Sequence, residues 1–121
     1  MRPRAAALIA ALGAMLVPGL AACSSSEATG ETIVVTSTNA ECRVSQASLA
    51  AGKHRFQVDN TGSQVTEVYV YAAGDKVVAE KENVGPGTKA TFTATVSPGR
   101  YDVACKPGQT GNGIRQAITV T

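Results

Sequence analysis

Tryptophan is absent from this 121-residue chain, and its aromatic side chains are two phenylalanines and three tyrosines. A core built with so few rings is thin, and a covalent staple would strengthen it. The chain has one histidine, His54, and no recognisable serine or cysteine nucleophile motif. A hydrolytic triad therefore has nothing to be assembled from, and the chain reads as a binding module and not an enzyme. The only methionines are Met1 and Met15, so no thioether ligand exists beyond the N-terminal stretch. Eleven Lys and Arg stand against nine Asp and Glu, and Arg2 and Arg4 make up the whole excess. With no basic patch or stripe in the remainder, nucleic-acid binding is not expected. The apolar run from Ala5 to Leu20 falls short of the roughly 20 residues that span a bilayer.

Residues 1–22 instead have the layout of an export signal: a basic start, an apolar stretch and small residues at its end. Leu20-Ala21-Ala22-Cys23 resembles the bacterial lipobox. The resemblance implies cleavage before Cys23, lipid on its sulfur and attachment to the outer, extracytoplasmic side of the cell membrane. The alternative is an ordinary secretory signal with a cysteine nearby by chance. Several acyl chains on one residue anchor stably where one does not. Residues 23–30 then form the lipidated cysteine and a flexible tether, and residues 31–121 form one small domain, expected to be monomeric.

No stretch of that domain reads as a helix. Thr32 to Thr36 is short and β-branched. His54, Phe56 and Val58 alternate with Lys53, Arg55, Gln57 and Asp59, which sets a buried face against a wet one. Ala90, Phe92, Ala94 and Val96 alternate with Lys89 and three threonines in the same way. In Thr66 to Ala72 both parities are partly apolar, so periodicity leaves its orientation open. Val77 to Glu80 and Ile114 to Val120 complete the set, with Ile114, Ile118 and Val120 sharing a parity. About seven or eight short strands separated by turn signals predict an all-β protein, an antiparallel β-sandwich.

Ser97 to Gly108 organises the chain. Pro98-Gly99 has turn chemistry. Tyr101, Val103 and Cys105 then share one face, which predicts an inward Cys105 where the strand ends. Cys23 aside, the remaining cysteines are Cys42 and Cys105, and an even pair in an exported domain reads first as a disulfide. Such a bridge closes a loop of roughly 60 residues and stabilises by about 4 kcal/mol in the chain-entropy view. The alternative leaves both as thiolates, with Lys106 beside Cys105 favouring the ionised form. His54, next to Phe56 on a strand, reads as a packing residue.

Asn60-Thr61-Gly62, Glu67-Val68-Tyr69-Val70, Pro98-Gly99-Arg100-Tyr101 and Cys105, in that order, resemble the cupredoxin layout. In that family an Asn precedes the loop to the first histidine ligand, and a Pro-Gly-x-Tyr strand leads to the cysteine ligand. The resemblance implies a Greek-key sandwich. A blue-copper centre is not implied, because Glu67 stands where the first histidine would be and the loop after Cys105 has neither histidine nor methionine. A closer resemblance is to the cupredoxin-like domain of EfeO-type iron-uptake proteins. It is carried by Asn39 to Ser45 with Cys42, Ala51-Gly52-Lys53, Thr66 to Tyr71, Asn83 to Gly87, and Cys105-Lys106-Pro107-Gly108 through Arg115. It implies a link to iron uptake, metal-uptake proteins as partners, and one metal ion, copper or iron, held by Cys42, Cys105 and Glu67. Asn60, Lys106 and Arg115 would support that site, with Lys106 or Arg115 also open as ion-pair partners of Glu67. The competing reading is a disulfide-stapled structural or interaction domain without metal.

Overall fold

The computed structural model describes residue 28 and residues 30–121. Residues 1–22, expected to be an export signal, and Cys23 lie outside the described residues. Nine strands make up the described chain: β1 (Ile33–Ser37), β2 (Cys42–Val44), β3 (Ser48–Leu49), β4 (Gly52–Asn60), β5 (Thr66–Ala72), β6 (Lys76–Val84), β7 (Lys89–Val96), β8 (Gly99–Cys105) and β9 (Ile114–Val120). The only helical element among them is a single 3-10 turn, Ala73–Asp75, at the β5–β6 hairpin.

The strands form two sheets, β2-β1-β4-β7 and β3-β9-β8-β5-β6. Most neighbours are antiparallel, but β1 runs parallel to β4 and β3 parallel to β9, so the sheets are mixed and not purely antiparallel. The reason is local. β2 turns back antiparallel to β1, and the short β3 pairs in the opposite sheet, so the chain re-enters the first sheet at β4 in the direction of β1.

The inner faces are the ones alternation predicts. His54, Phe56 and Val58 are buried, as are Ala94 and Val96, with Phe92 half-buried. Phe56 and Phe92 lie directly across the β4–β7 ladder with ring centroids 5.2 Å apart. Otherwise the core is aliphatic: Ile33, Val35, Val58, Val68, Val70, Val103 and Ile118 are almost completely enclosed. β-branched side chains suit such an interior because they fill a pleated face with little rotamer freedom to lose. Among the described residues the core cluster runs from Ile33 to Val120.

Tyr101 closes the turn that joins the sheets. Its hydroxyl donates to Ser97 O at 2.9 Å and accepts from Ser97 N–H at 3.0 Å. One phenol thus satisfies both main-chain groups of the residue before Pro98-Gly99, while its ring covers the core edge.

Two stability changes follow. Phe56→Ala leaves a cavity at the centre of the four-stranded sheet and costs about 3–5 kcal/mol in urea denaturation. Tyr101→Phe keeps the ring but strands Ser97, and costs about 1–2 kcal/mol in the same assay. A Phe56→Ala loss below that of Tyr101→Phe would contradict the placement of the core.

Candidate functional site: the disulfide end of the sandwich

At one end of the sandwich the two sheets are tied together by side chains. Cys42, on β2 of the four-stranded sheet, is bonded to Cys105, on β8 of the five-stranded sheet, with Cα atoms 5.4 Å apart. Cys105 is fully buried and Cys42 nearly so. The alternation Tyr101, Val103, Cys105 produces this directly, because an inward cysteine at a strand end meets the inner face of the other sheet. Gly113 passes close by, and a Cβ there would lie 3.0 Å from Cys105 O. Its φ of +79° is open to glycine at little cost.

Two polar ties flank the disulfide. Ser37 on β1 and Thr66 on β5 share a buried hydroxyl–hydroxyl bond of 2.8 Å across the sheets. Asn60, at the end of β4, donates from Nδ2 to Val84 O at 2.9 Å on β6 and to Gln64 O at 2.7 Å in the β4–β5 loop. Its Oδ1 accepts from Gly62 N–H at 3.0 Å, and its main chain bonds Thr88 and Gly87. Asn60 is thus the knot of three segments, a structural role and not support of a metal site. No buried side-chain nitrogen or oxygen among the described residues is left without a partner.

Glu67 does not join the cysteines. Cys105 sits directly opposite Val68 on the β5–β8 ladder, and both point inward. Adjacent strand residues face opposite ways, so Glu67 lies on the outer face, half-buried, with the sheet between it and the disulfide. Its main chain bonds Lys106, which fixes that register. The metal set of Cys42, Cys105 and Glu67 is therefore corrected: one sulfur–sulfur bond holds the two cysteines, and the carboxylate is on the wrong side. The other reading of Glu67, an ion pair with Arg115 or Lys106, is also corrected. Arg115 Nη1 lies 2.6 Å from Asp75 Oδ1 and 3.5 Å from Asp102 Oδ2. The hydrogen bond to Asp75 is the main influence holding the Arg115 guanidinium above its ordinary pKa.

Lys106 lies elsewhere too. Its Nζ stands 4.2 Å from the Tyr69 ring centre and 5.7 Å from that of Tyr71, and the two rings stack 5.4 Å apart. The Arg115 guanidinium covers Tyr71 at 4.6 Å. Both cations and both rings form one ladder on the outer face of the five-stranded sheet, which shields the rings from water. The Tyr69 hydroxyl donates to Glu82 Oε1 at 2.9 Å. Burial first, then that bond, then the charges of Glu67, Glu82 and Glu80 hold the Tyr69 pKa above the ordinary tyrosine value. This ladder escaped the sequence reading, although Tyr69 and Tyr71 at i and i+2 were its signal. The Ser37–Thr66 tie escaped it too, because the orientation of Thr66 to Ala72 was open in the sequence.

His54 sits at the opposite end of β4 from Asn60, buried, with Nε2–H donating to Ala50 O at 2.6 Å. It is the packing residue expected. The donors of a copper centre therefore do not fit here: the strand-end cysteine is bonded to Cys42, the histidine is a strand's length away, and the carboxylate is outside. Among the described residues no three His, Cys, Asp or Glu side chains are grouped to hold a metal. No helix among them is long and apolar enough to cross a membrane.

Comparison with known proteins agrees with this architecture. The iron uptake system component EfeO of Escherichia coli strain K12 is 34% identical over 73 residues, and the same figures hold for EfeO of Shigella flexneri. The match covers 60% of this chain but only 19% of the relative, so the chain corresponds to about a fifth of those proteins. Among solved structures, auracyanin from Roseiflexus castenholzii superposes with a TM-score of 0.60 at 19% identity, over 78% of this chain and 99% of that one. An azurin from Methylomonas sp. strain J superposes with a TM-score of 0.55 at 13% identity, over 74% and 97%. These likenesses show the fold alone. The cupredoxin-like domain model matches residues 7–120, and the chain belongs to the cupredoxin-like domain family.

Proposed function

We propose that this chain is a membrane-anchored, extracytoplasmic binding module of an iron-uptake system, acting through its surface and not through a copper centre of its own. The likeness to an iron uptake system component supports the setting. The bond between Cys42 and Cys105 carries the rest, because it removes the sulfur donors from any metal site. Of the two readings of the sequence, the disulfide-stapled interaction domain is the one this observation favours. Lipid on Cys23 supplies the anchor, a metal-uptake protein is the partner, and iron is the partner's cargo. The module is non-enzymatic and works as a monomer.

Titration of the oxidised chain with copper and with iron gives no stoichiometric uptake, and Glu67→Gln changes nothing. One equivalent bound by the wild type and lost in Glu67→Gln would overturn the reading. Replacing both cysteines, Cys42→Ser with Cys105→Ser, lowers stability by about 4 kcal/mol, read from urea denaturation. In cells, loss of the chain slows growth when iron is limited by a chelator. Cross-linked membranes yield an iron-uptake component together with the chain, and recovery of none would contradict the partnership.

A further inference from the structure

The loop that joins β8 to β9 carries a reactive pair that the disulfide end does not use, Asn112-Gly113. Asparagine is a labile side chain, because its amide carbon is one ring closure away from the next main-chain nitrogen. Two things slow that closure. A side chain on the following residue crowds the nitrogen, and hydrogen bonds hold the amide away from it.

The chain has four asparagines: Asn39, Asn60, Asn83 and Asn112. Ala40, Thr61 and Val84 follow the first three, and only Asn112 is followed by glycine. The structure separates them in the same way. Asn60 donates from Nδ2 to Gln64 O and Val84 O, and its Oδ1 accepts from Gly62 N–H. Asn39 donates to Ser63 Oγ at 3.0 Å and accepts from Ser63 N–H at 2.9 Å. Asn83 Oδ1 accepts from Gln109 Nε2 at 2.7 Å. Asn112 is exposed, and its side-chain amide meets no hydrogen-bond partner among the described residues. Gly113 N–H donates to none of them either.

Arg115 adds a direction. Its Nε donates to Asn112 O at 3.1 Å, the main-chain carbonyl on the other side of the scissile ring. Asp75 and Asp102 hold the same guanidinium, so the donor is fixed in place.

We propose that Asn112-Gly113 is a self-modification site, a deamidation that turns this loop acidic as the chain ages, with Arg115 steering the product to isoaspartate. Gly113 N bonds to Asn112 Cγ, and the Cγ–Nδ2 bond breaks. The Gly113 amide proton passes to solvent base and Nδ2 leaves as ammonia, which gives a five-membered succinimide. Water then opens the ring. Attack at the Asn112 main-chain carbonyl leaves it as a free carboxylate, with the chain running through Cγ; attack at Cγ leaves aspartate. Arg115 polarises the first carbonyl and pairs with the carboxylate formed there, so isoaspartate prevails. The new negative charge stands beside one of the two cations that cover Tyr69 and Tyr71.

The test incubates the folded, oxidised chain in mildly alkaline buffer, with peptides from timed digests read by mass spectrometry and isoaspartate scored by enzymatic methyl transfer. Asn112 exchanges amide for acid about tenfold faster than Asn39, Asn60 or Asn83. Asn112→Gln removes the fast phase. Arg115→Gln keeps it and lowers the isoaspartate-to-aspartate ratio about threefold. A synthetic peptide of residues 108–118 gives the rate of the unrestrained pair. An Asn112 that stays an amide in the folded chain while the peptide converts, a rate no faster than that of Asn83, or an unchanged product ratio in Arg115→Gln would overturn the proposal.

Discussion

Two sheets that share a thin aliphatic core are free to slide unless something other than packing fixes their offset. Here the constraint is a cluster of inter-sheet ties at one end: the Cys42–Cys105 bond, the Ser37–Thr66 hydroxyl pair and the Asn60 contacts to Val84 and Gln64. Valine and isoleucine pack without strong directional preference, so dispersion alone tolerates small shifts. A buried hydroxyl pair does not, because a shift leaves two desolvated groups unpaired. The disulfide adds a restriction on the unfolded chain that the other ties do not. At the far end the Tyr101–Ser97 bonds hold the turn between sheets, so the slab is fastened at both ends by different means.

The same ties decide what the old ligand end of the fold can do. A soft metal ion needs thiolates, and a bridged pair has none. A hard ion needs several oxygens, and the one nearby acidic residue of β5 is carried to the outer face by the pleat. The fold and the ligand set are thus separable, because the sandwich depends on alternation and closure while a metal centre depends on a few side chains at one rim. With the ligand end closed by covalent and polar bonds, the outer faces and the ends are the surfaces left for recognition. On the five-stranded sheet the stacked Tyr69 and Tyr71 are already capped by Lys106 and Arg115, so their aromatic area is largely satisfied within the chain.

Exposed sheet edges are managed by composition. The long edge strand β6 carries Lys76, Glu80, Lys81 and Glu82, charges of both signs that discourage another strand from pairing. β7, the edge of the four-stranded sheet that lies beside β6, presents threonines outward. Neither of these two edges invites open-ended strand pairing.

The sequence by itself determined which residues turn inward on β4, β7, β8 and β9, because a period of two is a local property that the polar partners make visible. It determined the Pro98-Gly99 turn, the inward Cys105 and the packing role of His54 for the same reason. The pairing of strands was not legible: nothing in Ile33–Ser37 says that its neighbour is the parallel β4, since pairing depends on the path of the intervening chain. β5 was undecided because apolar residues occupy both of its faces, the inner one buried in the core and the outer one under two cations. Only its register against Cys105 settled that Val68 faces in and Glu67 out. The fate of the cysteines was likewise a tertiary decision. Two residues 63 positions apart become a bond because the closure of one sheet on the other brings their Cα atoms to 5.4 Å. Local pattern orients a side chain, and only the packing of distant strands chooses what it meets.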